Sequence, residues 1–269
     1  MSSIGYFTFG PLTLRDDPAR DPCYTLVRRE SEMHEYGGTG DVARREMVHR
    51  HMSNEVTSLD IAALCLAEFP DAPWGLRLEL ARQCWDESRH VAALHRRLVE
   101  LGGHPGQFPV SVFEWNVTAA VDNLPGRLAI QNRTFEAGAM DVVGGLIRAV
   151  REAGDAGTAD VLEGILADEV HHVRFANRWI RQLAREDRRV LLKVVLAIRF
   201  LSEAVRAFQE HDAGVNAVGT ALPQFADRIP AVNVEDRRLA EFSDEEVQEI
   251  LRQAGFRALG TELIGHEPS

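Results

Sequence analysis

"WDESRH", Trp85 to His90, and "ADEVHH", Ala167 to His172, share one skeleton: Asp, Glu, two residues, His. The two glutamates stand 82 positions apart. Glu and His three positions apart in a helix lie on neighbouring rows of one face. Both motifs fall inside segments of helical apolar periodicity, so both faces point to a core. One seam reads Leu76, Leu80, Cys84, Glu87, Val91, Leu94, Leu98; another reads Leu162, Ile165, Glu169, His172, Ala176, Leu183.

Two further seams carry a mid-seam acid. Val48, Met52, Glu55, Leu59, Ala62 and Leu66 form the first; Ala129, Asn132, Glu136, Ala139, Val143, Leu146 and Val150 form the other. An amphipathic helix ordinarily turns its acids to water. A buried, unpaired carboxylate costs several kcal/mol or more. Four converging glutamates need a shared counter-charge, and two divalent metal ions balance four negative charges. The spacing is nearly symmetric: 32 residues from Glu55 to Glu87 and 33 from Glu136 to Glu169. Each half therefore reads as a helical hairpin with its acids at matching heights. Glu55, Glu87, His90, Glu136, Glu169 and His172 are the candidate metal ligands. The competing reading is a set of buried ion pairs with arginines such as Arg89 and Arg133.

The rest of the chain supports an all-α fold. No proline occurs between Pro22 and Pro70, or between Pro125 and Pro223. Such Ala/Leu/Arg/Glu-rich stretches favour helices. Five long helices are predicted, at about 41–69, 73–101, 125–154, 158–185 and 188–210. The second ends at Gly102-Gly103, and Pro125 suits the first turn of the third. The long link "HPGQFPVSVFEWNVTAAVDN" has room for one short helix and for a crossover that leaves its flanking helices parallel. Strand-like alternation is confined to the first fifteen residues. Residues 212–242 read as irregular, and "SDEE" at Ser243 reads as a capping box opening a last helix. The division expected is a largely irregular segment 1–40, a four-helix bundle 41–186, and a fifth helix with a C-terminal extension 187–269 packed on it.

Composition narrows the function classes. The 269 residues carry a formal charge of −11, which argues against a nucleic-acid backbone as partner and weakens a tRNA-hydroxylase reading. Cys23, Cys65 and Cys84 show no CxxC spacing, and no secretory leader is visible, so a reduced cytoplasm is expected. The longest apolar stretch, "VLLKVVLAIRFL", is short and holds Lys193 and Arg199; it predicts a buried helix, not a membrane span.

The ligand pattern is that of ferritin-like di-iron and di-manganese carboxylate bundles, a Glu from each of two helices plus two Glu-x-x-His motifs. "DESRH" resembles the DExRH signature of that superfamily, and "DEVHH" is a variant second copy. More narrowly, "FEAGAMD", "DESRHVAALHRRLVELGGHPGQFP" and "REAGDAGTADVLEGILADEVHHV" resemble the ferritin-like family called domain of unknown function 455, over roughly residues 45–210. Asn54 and His171 depart from the histidine and arginine usual in that family. The resemblance implies a ferritin-like four-helix bundle with a dinuclear metal centre. It also implies that Asp86 hydrogen-bonds His172 and Asp168 hydrogen-bonds His90, which fixes the tautomers.

Several neighbours are weighed as site-lining. His51 lies four residues before Glu55. His171 points about 100° away from His172, toward a rim or core role. Asp60 and Asp141 sit five residues past a ligand glutamate, which suits a network role. Gly138, Gly144 and Gly145 follow Glu136 and mark either close helix packing or a cavity or π-bulge beside the metals. Trp85 and Trp179 read as packing residues or electron conduits. Tyr6, Tyr24 and Tyr36 all precede the predicted helices, which disfavours a stored tyrosyl radical.

The expected function is an O2-activating non-haem oxygenase or oxidase of a small organic substrate, with two iron ions, or manganese, or a mixed Mn/Fe pair. Its partners would be O2, the substrate and an electron-donor reductase, with a homodimer as an option and neither nucleic acid nor membrane. The alternatives are a ferroxidase that handles iron and a non-catalytic ferritin-like scaffold.

Overall fold

The first helix, α1 (Asp41–Glu68), and the second, α2 (Trp74–Glu100), pack along each other. The computed structural model describes residues 5–29, 32–34, 36–38, 40–215, 232–253, 257–259 and 262–264. Ile61, Ala62 and Cys65 of α1 meet Leu76 and Leu80 of α2, and Val48 and Met52 meet Leu94 and Leu98. Burying one such aliphatic side chain contributes about 1.5–3 kcal/mol. Gly102 ends α2 in the left-handed region, where the Gly103 N–H returns to the Leu98 carbonyl at 2.8 Å. That is a Schellman closure.

The third predicted helix is built in three parts. They are α4 (Leu124–Ile130), a π-helical turn (Gln131–Glu136) and α5 (Ala137–Glu152), and ahead of them the link holds the short α3 (Phe113–Thr118). Asn123 caps α4, its Oδ1 accepting from the Gly126 N–H at 2.9 Å. In the π turn the Ala137 N–H reaches the Asn132 carbonyl, five residues back. The π turn lies at Gln131–Glu136, ahead of the glycines. A Cβ at Gly138 or Gly145 would meet nothing within 4 Å, so close packing does not explain these two.

Helix α6 (Ala156–Glu186) starts under an Asp155 cap and packs against α5 through Val143, Ile147, Ala159 and Leu162. It also packs against α2 through Ala176 and Ile180. Helix α7 (Arg189–Val215) lies on α4 with Ala197, Leu201 and Ala204 buried. The helices α8 (Val234–Leu239) and α9 (Asp244–Gln253) cover α5 and α6 through Ala240, Phe242, Val247 and Leu251. Ser243 and Glu246 form the reciprocal capping box at the start of α9.

The chain is all-α, with small strands added. The hairpin β1 (Tyr6–Phe9) with β2 (Leu12–Arg15), inside the segment 1–40 read as largely irregular, buries Leu14 completely. Two-residue β3 (Leu26–Val27) pairs in parallel with β4 (Val110–Ser111), tying the N-terminal segment to the link. The C-terminal strands are β5 (Arg257–Leu259) and β6 (Glu262–Ile264). The stretch 212–242, read as irregular, holds the end of α7 and all of α8; its residues 216–231 lie outside the described residues. Among the described residues no helix is long and apolar enough to cross a membrane.

Candidate metal centre

The four seam glutamates and both motif histidines lie inside the protein, none more than 5% exposed. They come from four segments: Glu55 from α1, Glu87 and His90 from α2, Glu136 from the π turn, Glu169 and His172 from α6. Their donor atoms form two groups that could each hold a metal ion. One is Glu55, Glu87, His90 and Glu169; the other is Glu87, Glu136 and His172.

Both imidazoles turn Nδ1 toward the carboxylates. His90 Nδ1 is 3.1 Å from Glu55 Oε2, 3.1 Å from Glu87 Oε2 and 3.7 Å from Glu169 Oε1. His172 Nδ1 is 3.5 Å from Glu87 Oε1 and 3.6 Å from Glu169 Oε2. Glu87 and Glu169 thus lie between the histidines, each offering one oxygen to either side. Each Nε2 faces an aspartate of the other motif: His90 to Asp168 Oδ2 at 3.2 Å, His172 to Asp86 Oδ2 at 3.4 Å.

The arginines do not neutralise the glutamates. Arg89 bonds Asp86 and Asp168, and Arg133 pairs with Glu246 on α9. Among the described residues the ion-pair partners of Glu55, Glu87 and Glu169 are histidines. Protons carry the balance instead. Burial, with Glu169 and Glu55 beside it, drives Glu87 well above the usual carboxylate range. Burial, then Glu169, lifts Glu136 to about 8. Burial alone would lower His90, but hydrogen bonds to Glu55 and Glu87 outweigh it and raise the imidazole to about 11. His172 is raised against burial by Glu169 and Asp86. Glu55 stays well below its usual range because His51 and His90 outweigh its burial.

The donor set fits divalent metal ions. Adjacent donors on one ion sit about 3 Å apart when the bonds are about 2.1 Å. The His90 contacts already have that separation. Glu169 Oε2 and His172 Nδ1 are buried without a hydrogen-bond partner, and a cation between them would satisfy both. The set is rich in carboxylate, with one imidazole per group and no thiolate, which are hard and borderline donors.

Three further side chains hold the glutamates in place, each four residues before its glutamate. His51 Nε2 is 2.9 Å from Glu55 Oε1. Gln83 Nε2 donates to Glu87 Oε1 at 3.1 Å and to Glu136 Oε1 at 2.6 Å. Asn132 Nδ2 donates to Glu136 Oε2 at 2.9 Å and to Gln83 Oε1 at 3.1 Å. Sequence reasoning noted His51 and put Asn132 in a seam but gave the two amides no role. The repeated offset of four was the available signal. It also missed Glu114 on α3, which accepts from Gln131 Nε2 at 2.6 Å and is pushed to about 7 by burial.

Other expected neighbours go elsewhere. Asp141 does not line the cluster: Arg237 of α8 grips it at 2.6 Å, and the Asn233 N–H donates to it at 2.7 Å. Five residues past Glu136 its side chain has rotated off that row. His171 is not a donor to the cluster; its Nε2 pairs with Glu79 Oε2 at 2.9 Å, on the rim. Asp60 pairs with Arg20. Gly138 borders open space. Trp85 is 65% exposed and is no packing residue, whereas Trp179 packs on the core beside Gly75.

The class defined by these observations is a helical protein with a buried carboxylate–imidazole cluster that could hold metal ions. The family model described as "Protein of unknown function (DUF455)" matches residues 10–248, and the chain belongs to that family. A Haemophilus influenzae protein described as uncharacterized is 28% identical over 110 residues, which is 40% of this chain and 37% of that protein. The alignment thus spans well under two thirds of the relative's length.

Proposed function

We propose that the chain is a ferritin-like four-helix bundle whose buried cluster holds a pair of iron or manganese ions, and that it works as an O2-activating oxygenase or oxidase on a small organic substrate. The observation that carries this reading is the position of Glu87. It belongs to both donor groups, so one carboxylate spans two adjacent cation positions. A single structural ion would not need it there. Bound iron or manganese would supply the redox chemistry toward O2.

The chain's own residues do the rest. Glu55, His90 and Glu169 would hold one ion and Glu136 and His172 the other, with Glu87 available to both. Asp86 and Asp168 accept from the Nε2–H of His172 and His90, which leaves each Nδ1 lone pair for a metal. The surrounding core clusters exclude water and fix the donors on rigid helices. Electrons must come from a reductase or from the substrate.

The test is anaerobic purification with metal analysis. About two iron or manganese ions per chain are expected, with both lost in Glu87→Ala, and O2 uptake should follow ferrous loading. A chain that binds no stoichiometric metal sinks the reading. A native mass matching a large cage would favour iron storage, and loaded protein that takes up no O2 would favour a scaffold.

A further inference from the structure

The two donor groups are unequal. The first has four residues, Glu55, Glu87, His90 and Glu169, and three of them are carboxylates. The second has three residues within mutual reach, of which Glu87 and Glu136 are carboxylates, with Glu169 Oε2 3.6 Å from His172 Nδ1 at its edge. In the first, His90 Nδ1 is 3.1 Å from two carboxylate oxygens and 3.7 Å from a third. In the second, His172 Nδ1 stands 3.5 Å from Glu87 Oε1. Cation affinity rises with the charge count and the rigidity of the donors.

Glu136 is held by a different device. Gln83 Nε2 binds one of its oxygens at 2.6 Å and Asn132 Nδ2 the other at 2.9 Å. The two amides are themselves joined, Asn132 Nδ2 to Gln83 Oε1 at 3.1 Å. A carboxylate oxygen has two lone pairs, so each keeps one for a metal. The amides therefore aim Glu136 without blocking it. Asn132 and Glu136 are both buried in the π turn, four residues apart.

We propose that the two metal positions fill in order, the Glu55–His90 position first, and that Asn132 and Gln83 are positioning residues that make the Glu136–His172 position usable. This rests on the metal reading above. Removing an outer partner of a metal ligand lowers affinity by about 10–100-fold. Loss of Asn132 should do so at one position only.

The experiment is an anaerobic titration of the chelator-treated chain with Mn2+, followed by calorimetry and by metal analysis after gel filtration. Wild type should show two classes of ion, separated by at least about tenfold in affinity. Glu55→Gln should remove the tighter class. Asn132→Ala should leave the tighter class unchanged and weaken the other by about 10–100-fold. If that variant does not fold, the volume-matched Asn132→Leu serves the same comparison. Two ions of equal affinity in wild type overturn the proposal, as does equal weakening of both in the Asn132 variant. Absence of any stoichiometric Mn2+ binding in wild type would instead overturn the metal reading itself.

Discussion

His90 Nε2 on α2 lies 3.2 Å from Asp168 Oδ2 on α6, and His172 Nε2 on α6 lies 3.4 Å from Asp86 Oδ2 on α2. Each motif's aspartate thereby steadies the other motif's histidine. The exchange couples the two helices through the imidazoles that face the carboxylates. Arg89 ties the two aspartates together by bonding both.

Asp168→Ala should lower metal affinity by about 10–100-fold while the fold survives, because Asp168 is partly exposed and His90 keeps Nδ1 on the glutamates. Asp86→Ala should cost metal affinity and stability together, since Asp86 is buried, Arg82 loses its partner and Arg89 keeps only Asp168. Metal titration beside thermal melting separates the two effects. Equal melting losses in both variants would contradict the assignment.

Metal should stabilise the fold. An ion held at a thousand times its dissociation constant adds about 4 kcal/mol. Chelator should lower the melting temperature and Mn2+ should restore it. Glu87→Gln keeps the shape but removes the shared carboxylate, which burial and two neighbouring glutamates oppose. The metal-free variant should melt no lower than metal-free wild type and should gain little from Mn2+. A large gain would speak against Glu87 as the shared ligand.

His49 predicts an acid sensitivity away from the cluster. It is fully buried on α1, and its Nε2 accepts the Gly106 N–H at 2.9 Å. Burial, with His104 nearby, lowers it to about 4. Above pH 6.5 both folded and unfolded chains hold the ring neutral. As pH falls from 6.5 toward 4 the unfolded state takes the proton first, so stability declines, by up to about 3 kcal/mol. Denaturant unfolding across this range should show a shallower decline in His49→Gln. An identical pH slope would rule His49 out as the source.

The Asp141–Arg237 pair, 96 residues apart, fastens the C-terminal helices to α5. Both side chains are buried, so Arg237→Ala leaves an uncompensated carboxylate and should cost about 3–5 kcal/mol. Adding Asp141→Ala should recover part of that loss. A double mutant less stable than Arg237→Ala would refute the pairing argument.

Local chemistry made much of the helix pattern legible. Helix ends were legible in Gly102, Pro125 and the Ser243/Glu246 box, whose effects act within a turn or so of chain, whereas the Asn123 and Asp155 caps went unread. The convergence of Glu55, Glu87, Glu136 and Glu169 was readable because acids in apolar seams are costly unless they share a counter-charge. Even the offset of four that brings His51, Gln83 and Asn132 to their glutamates is a property of one helix.

What only the tertiary structure decided is which distant groups complete these local signals. Gln83 reaches a glutamate 53 residues away, Asp141 turns to Arg237, and Glu114 faces Gln131 from a short helix no periodicity marks. An amide or a lone acid reads the same in sequence whether it meets water or a buried partner. A π-bulge was one reading of the glycines after Glu136, but its place at Gln131–Glu136 was not marked, because a single backbone register shift leaves the apolar spacing almost intact. The physical division follows range: helical periodicity and caps are set within a turn or so, while burial and partner choice arise only when helices meet.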